Sequence, residues 1–137
     1  MCSLNRSGSL VSMLRCLIVD DSSQFLAAAR TWLERQGITV VGVASTGAQA
    51  LQQAAEMHPD VVLVDIDLGR ESGFDLADKL QQNAGVDSPR VILISAYAEE
   101  DYADLIAASP AVGFLNKTAL SGQRIRQLVE DGAGQWV

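Results

Sequence analysis

Five short apolar runs recur along this chain, each separated from the next by enough residues for a helix: Cys16–Val19, Ile38–Val43, Val61–Val64, Val91–Ile94 and Val112–Leu115. Four of them are nearly unbroken and rich in Val and Ile. A strand with one wet face alternates apolar and polar residues. A strand that does not alternate is covered on both faces, as in a parallel sheet packed between helices. The segments between the runs carry helical spacing with start and stop signals. Asp21 or Ser22 can cap a helix whose inner face is Phe25, Leu26, Ala29, Trp32 and Leu33, and Gly37 stops it. Thr46 and Gln49 fit a capping box ahead of Leu51, Ala54 and Ala55, and His58-Pro59 ends that helix. Ser72 opens a third helix with Phe74, Ala77 and Leu80 turned inward. A fourth is predicted over Ala98 to Ala108, with Glu99, Glu100 and Asp101 in its first turn. A fifth starts at Ser121, where Leu120 and Ile125 have the spacing of a hydrophobic staple, and Leu128 and Val129 continue its inner face. Strand and helix thus alternate five times. The simplest architecture is an α/β, doubly wound (βα)5 fold with a parallel five-stranded sheet and right-handed crossovers.

The 137 residues suffice for one such domain, placed at residues 14–132. Residues 1–13 read as a disordered N-terminal extension and residues 133–137 as a C-terminal tail in which Trp136 either frays or docks. The first fifteen residues hold no long apolar stretch, so neither a signal peptide nor a membrane span is expected, and the cytoplasm is the expected compartment. Two cysteines and one histidine make neither a disulfide framework nor a standard zinc site. Cys16, opening an apolar run, reads as a buried small hydrophobe. The formal charge of −7 argues against nucleic acid or an anionic membrane as a partner of this domain.

That charge is concentrated where the apolar runs end. The first run is followed by Asp20-Asp21, the third by Asp65 and then Asp67, the fourth by Ser95 and the fifth by Asn116-Lys117. Only the second, closing on Ala44-Ser45, lacks such a group. Open α/β sheets bind ligands at the carboxyl ends of their strands, where the strand order reverses. In an order 2-1-3-4-5 that switch lies between strands one and three, which would gather Asp20, Asp21 and Asp65. Carboxylates so close repel one another unless a cation joins them. Hard oxygen ligands suit Mg²⁺, held by Asp65, one carboxylate of the Asp20-Asp21 pair and a backbone carbonyl. Lys117 supplies a second cation from strand five. A carboxylate beside a divalent cation and a lysine, with a hydroxyl nearby, is laid out to accept a phosphoryl group. Asp65 would be the nucleophile, Lys117 and Mg²⁺ would neutralise the transferring oxygens, and Ser95 would hydrogen-bond the group once attached.

With these residues in order, the chain from about Arg15 to Gly132 resembles a receiver domain of the two-component response-regulator family. Asp20-Asp21 match the family's acidic pair and Asp65 its phosphorylated aspartate. Asp67 matches the position whose main-chain carbonyl binds the metal, and Gly73 the glycine beyond that loop. Ser95-Ala96 match the hydroxyl residue and its small neighbour, Phe114 the aromatic switch position and Lys117 the family's lysine. The resemblance implies a flavodoxin-like fold and a single-domain phosphoprotein that uses Mg²⁺. It implies a sensor histidine kinase or phosphotransfer protein as donor and an unidentified downstream protein as target. The switched surface would be the fourth helix, fifth strand and fifth helix, in a monomer or a phosphorylation-dependent dimer. Such a domain assists its own phosphorylation and dephosphorylation and is not a metabolic enzyme.

Three positions depart from the family pattern. Thr118 follows Lys117 where proline, often cis, is usual; Leu68-Gly69 replaces Met-Pro; and Phe114 lacks a hydroxyl, so any switching there works by packing. Two other readings compete. The string Val64-Asp65-Ile66-Asp67-Leu68-Gly69 resembles the paired-aspartate motif of haloacid dehalogenase-type phosphatases, where it normally lies on the first strand. A pseudo-receiver acting only as an interaction module is the other. Taken singly, Asp21 could be only a helix cap, Ser95 a turn residue, Lys117 a solvated lysine and Phe114 core packing. Asp67 and Tyr97 flank the site, where they would tune access of the hydrolytic water.

Overall fold

A computed structural model describes residues 14–84 and 88–134; the expected extension at 1–13 and Trp136 lie outside them. The main sheet has five parallel strands: β1 (Arg15–Val19), β2 (Thr39–Ala44), β3 (Val61–Asp65), β4 (Arg90–Ser95) and β5 (Gly113–Asn116). Their order is β2-β1-β3-β4-β5, the doubly wound arrangement expected from the five apolar runs. The helices between them are α1 (Ser23–Arg35), α2 (Gly47–Met57), α3 (Gly73–Ala84), α4 (Ala103–Ala108) and α5 (Gly122–Gly134). The last of these runs past the expected boundary at 132.

Alternation along the strands sends successive side chains to opposite faces, and each face has its own core. Cys16 and Ile18 of β1 join Leu63, Ile92 and Ile94 against Leu26 and Leu33 of α1 and Ile125 of α5. Leu17 and Val19 join Val62, Val64 and Leu93 against Ala50 of α2 and Leu76 and Leu80 of α3. All of β3 is buried, which is why its sequence shows no polar alternation. Each fully buried Val, Leu or Ile contributes about 1.5–3 kcal/mol, so these two layers dominate the stability of the fold. Burial also pushes the Cys16 thiol far above its usual value, as suits a small core hydrophobe. Among the described residues no helix is long and apolar enough to cross a membrane.

Several local expectations need correction. Of the two expected caps for α1, Ser22 is the one used, its Oγ accepting from the Phe25 N–H at 3.2 Å, as expected; the other expectations differ. Thr46 caps α2 by accepting from the Gln49 N–H, but Gln49 returns its bond to Ser45 rather than to Thr46, so the capping box is half made. Ala55 is exposed, and the inner face of α2 runs through Ala50, Leu51 and Ala54. Trp32 is not core: 51% of it is exposed, and its indole N–H donates to the Leu120 carbonyl at 3.0 Å. Ala29 and Leu33 already fill the inner face of α1, so the larger ring lies across the loop after β5. The single helix expected over Ala98 to Ala108 divides into a 3₁₀ turn at Glu99–Tyr102 and α4 proper. Ala98 offers no side-chain acceptor for the first N–H groups, and Tyr102 departs from helical dihedrals.

Candidate functional site

The site lies at the carboxyl ends of β1 and β3, which are adjacent at the switch in strand order. Asp20 follows β1 directly. Its N–H donates to the Ala44 carbonyl, and its Oδ1 accepts from the Ser22 N–H at 2.8 Å. The carboxylate is thereby fixed, although it is fully buried. Asp65 closes β3, with Oδ1 accepting from the Asp67 N–H at 3.0 Å and Oδ2 from Lys117 Nζ at 2.9 Å. Lys117 arrives from two strands away, and its long side chain crosses the end of β4 to reach the acids. Its ammonium lies 2.6 Å from Asp20 Oδ2 as an ion pair.

Asp20, Asp21 and Asp65 each present an oxygen to a common point, these oxygens lying within 4.8 Å of one another. Asp21 is the exposed member. Three carboxylates against one ammonium leave two negative charges uncompensated, which matches a divalent cation. A second observation supports the match. Asp20 is fully buried, and beyond the Ser22 N–H on Oδ1 its compensation among the described residues is the Lys117 ion pair on Oδ2, a cation that it shares with Asp65. A metal ion would supply further compensation, and an all-oxygen donor set suits Mg²⁺. Burial raises the Asp65 carboxyl to about 6, helped by the charge of Asp20 and opposed by the Asp67 N–H and by Lys117. For Lys117, burial acts downward, but the bonds and charges of Asp20 and Asp65 outweigh it and raise the ammonium above its usual value.

The other expected residues surround this centre. Ser95 ends β4 and is buried, but its Oγ accepts from the Tyr97 N–H at 2.9 Å and is thus engaged with its own loop. Asp67 is exposed and its Oδ1 accepts from the Gly69 N–H at 3.0 Å, so its carboxylate stands outside the acidic cluster. Its main-chain N–H orients Asp65. Phe114 is half-buried on the opposite side of the sheet from α1, packed with the core that includes Tyr102 and Ile106. Tyr97 is 60% exposed beside Ser95.

The departures from the family pattern have local explanations. Asp67–Leu68 pairs with Glu71–Ser72 as a short antiparallel ribbon, turned at Gly69 with φ of +76°. Proline can adopt neither that dihedral nor the N–H bond to Asp67, whereas glycine does both. Glu71 pins the ribbon by accepting from the Gly47 N–H at the start of α2. After Lys117, the Thr118 N–H donates to Asn116 Oδ1 at 2.9 Å and caps a 3₁₀ turn at Lys117–Ala119, a bond that proline cannot make. No cis peptide bond occurs among the described residues.

Sequence reasoning missed one contributor and named another without its physical reason. Phe25 carries the Lys117 ammonium 4.4 Å above its ring centre, a cation–π contact across 92 positions that no local pattern announces. Gly73 was matched by position only. The structure gives the reason: a Cβ there would collide with the Asp65 carbonyl oxygen, so only glycine allows α3 to begin against the loop that holds Asp65.

Residues 16–130 match the model of the response regulator receiver domain. The chain is 36% identical over 123 residues to protein-glutamate methylesterase/protein-glutamine glutaminase 5 of Myxococcus xanthus, covering 88% of this chain and 35% of that protein. It is 30% identical over 106 residues to the uncharacterized transcriptional regulatory protein YvfU of Bacillus subtilis, covering 77% of this chain and 52% of that one. The chain therefore spans about a third to a half of the length of these curated relatives. Among solved structures, the response regulator domain of Thermotoga maritima CheB is similar at 27% identity and a TM-score of 0.70, over 89% of this chain and 95% of that one. The paired-aspartate string lies here on the third strand, which separates it from the haloacid dehalogenase arrangement.

Proposed function

Given that the chain belongs to the response regulator receiver family, we propose that Asp65 is the residue on which it accepts a phosphoryl group. The observation that carries this reading is the position of Asp65: a buried carboxylate at a strand end, 2.9 Å from Lys117 and sharing a cation-sized point with Asp20 and Asp21. In the proposed reaction an Asp65 oxygen attacks the phosphorus of a phosphohistidine on a sensor kinase or phosphotransfer protein. The phosphorus–oxygen bond of an acyl phosphate forms, the phosphorus–nitrogen bond breaks, and the departing imidazole takes up a proton. Lys117, 2.9 Å from the Asp65 carboxylate, would neutralise charge on the transferring oxygens. Asp20, Asp21, Asp65 and the main-chain carbonyl of Asp67 would hold Mg²⁺, which when bound offsets the charge of the phosphoryl oxygens. Ser95 would donate a hydrogen bond to the attached group. Phe114 would then repack against Tyr102 and Ile106, altering the α4–β5–α5 surface offered to a downstream protein.

Exposure to a small phosphodonor or to beryllofluoride in the presence of Mg²⁺ tests the assignment. Wild-type protein should load one group, and Asp65→Asn should load none. Loading that survives in Asp65→Asn would move the acceptor elsewhere. Wild-type protein that never loads would make the domain an interaction module.

A further inference from the structure

Asn116, the last residue of β5, makes three hydrogen bonds with one side chain. Its Nδ2 donates to the Tyr97 carbonyl at 3.1 Å. Its Oδ1 accepts from the Thr118 N–H at 2.9 Å and from Thr118 Oγ1 at 2.7 Å. The side chain thus spans from the loop that carries Lys117 to the loop that follows Ser95. Ser95 and Asn116 are also paired directly across β4 and β5. As a result the Tyr97 residue is held at both of its backbone groups: its N–H donates to Ser95 Oγ at 2.9 Å, and its carbonyl accepts from Asn116.

This arrangement bears on how Ser95 reaches the site. Its hydroxyl oxygen is engaged with Tyr97, and drawing it toward a group on Asp65 either breaks that bond or carries the Tyr97 backbone along. Asn116 anchors the same backbone from the other side and opposes both movements. Thr118 strengthens the anchor. Its N–H and hydroxyl both bind Oδ1, which fixes the amide plane with Nδ2 aimed at Tyr97. Proline at 118 would supply neither donor and leave the amide free to turn.

We propose that Asn116 is a positioning residue: it latches the Tyr97 backbone to the Lys117 loop and so holds Ser95 in its resting orientation. The latch sets the balance between the resting arrangement and the one in which Ser95 meets a phosphoryl group. It rests on the reading of Asp65 as phosphoacceptor and Ser95 as its hydrogen-bond partner.

Two substitutions and one measurement on the unaltered chain test it. Asn116→Ser keeps an oxygen for the Thr118 N–H but is too short for Tyr97, and Asn116→Ala removes all three bonds. Beryllofluoride titrations in saturating Mg²⁺, followed by amide NMR, should show both variants binding about fivefold more tightly than wild type, the effect of freeing one neutral hydrogen bond. Their affinity for Mg²⁺ alone should match that of wild type. A merely structural role would weaken beryllofluoride binding, not tighten it, so equal or weaker binding in a folded variant overturns the latch. In wild type, the Asn116 side-chain amide should lose its hydrogen-bonded shift on loading, and an unmoved resonance overturns the latch without any substitution. Wild type that takes no beryllofluoride sinks the phosphoacceptor reading itself, whereas wild type that loads beside unchanged variants sinks the latch alone.

Discussion

Asp65 is buried beside Asp20 with a single lysine to compensate both, and its chemistry follows from that imbalance. Its carboxyl, at about 6 instead of 3.8, holds a proton more tightly in the folded chain than in the unfolded one. The contribution of that proton to folding is fully present below about pH 4 and is lost as the pH rises to about 6. In chelator, the melting temperature of wild type should therefore fall relative to Asp65→Asn across this window, leaving the variant the more stable protein at pH 7. Parallel pH profiles for the two proteins would show that Asp65 ionises as readily folded as unfolded. The strand-end positions of Asp20, Asp65, Ser95 and Lys117 were legible in the sequence, because a polar residue that ends an apolar run must sit at the sheet's edge. The partners of these side chains were not. Phe25 under Lys117 and Asn116 on Tyr97 depend on distances between segments that composition and period do not encode.

At the level of elements, the segment after β3 is the most informative. Gly69 occupies a left-handed turn and donates its N–H to Asp67, while Asp67 in turn donates its N–H to Asp65. The ribbon therefore transmits its own geometry to the proposed phosphoacceptor. Gly69→Pro, which would restore the family's commoner residue, should lower stability by about 1–3 kcal/mol through the forbidden dihedral and the lost bond. Urea unfolding checks this, and an unchanged midpoint would mean that the ribbon yields freely. The departure Leu68-Gly69 was visible in the sequence, but its remedy was not, since two-residue strands are too short to show any period. The same reason applies to α4. Six residues carry less than two turns of pattern, so tertiary contacts decide where the 3₁₀ turn ends and the α-helix begins.

At the scale of the whole molecule, the acidic cluster can hold a divalent cation, and occupancy there would be felt by the entire fold. Binding that favours the folded chain stabilises it in proportion to the logarithm of ligand concentration. Mg²⁺ at a hundredfold excess over its dissociation constant should add about 2.7 kcal/mol to the unfolding free energy. Thermal melts with and without the ion read this gain directly. Asp20→Asn, which removes one charge from the cluster, should shrink it, and a melting temperature indifferent to Mg²⁺ would contradict the metal site. By itself the sequence determined the five-stranded parallel sheet, the strand ends at which chemistry would gather, and an acidic cluster in need of positive charge. Those features are local, set by whether each residue in a run is apolar and by what stands where the run stops. Only the tertiary structure decided that Lys117 lies between Asp20 and Asp65, that Gly73 must lack a side chain against the Asp65 carbonyl, that Trp32 lies outside the core, and that Asn116 joins two loops. Each of those depends on side-chain reach and free space between elements far apart in the chain, quantities that exist only once the layers have packed.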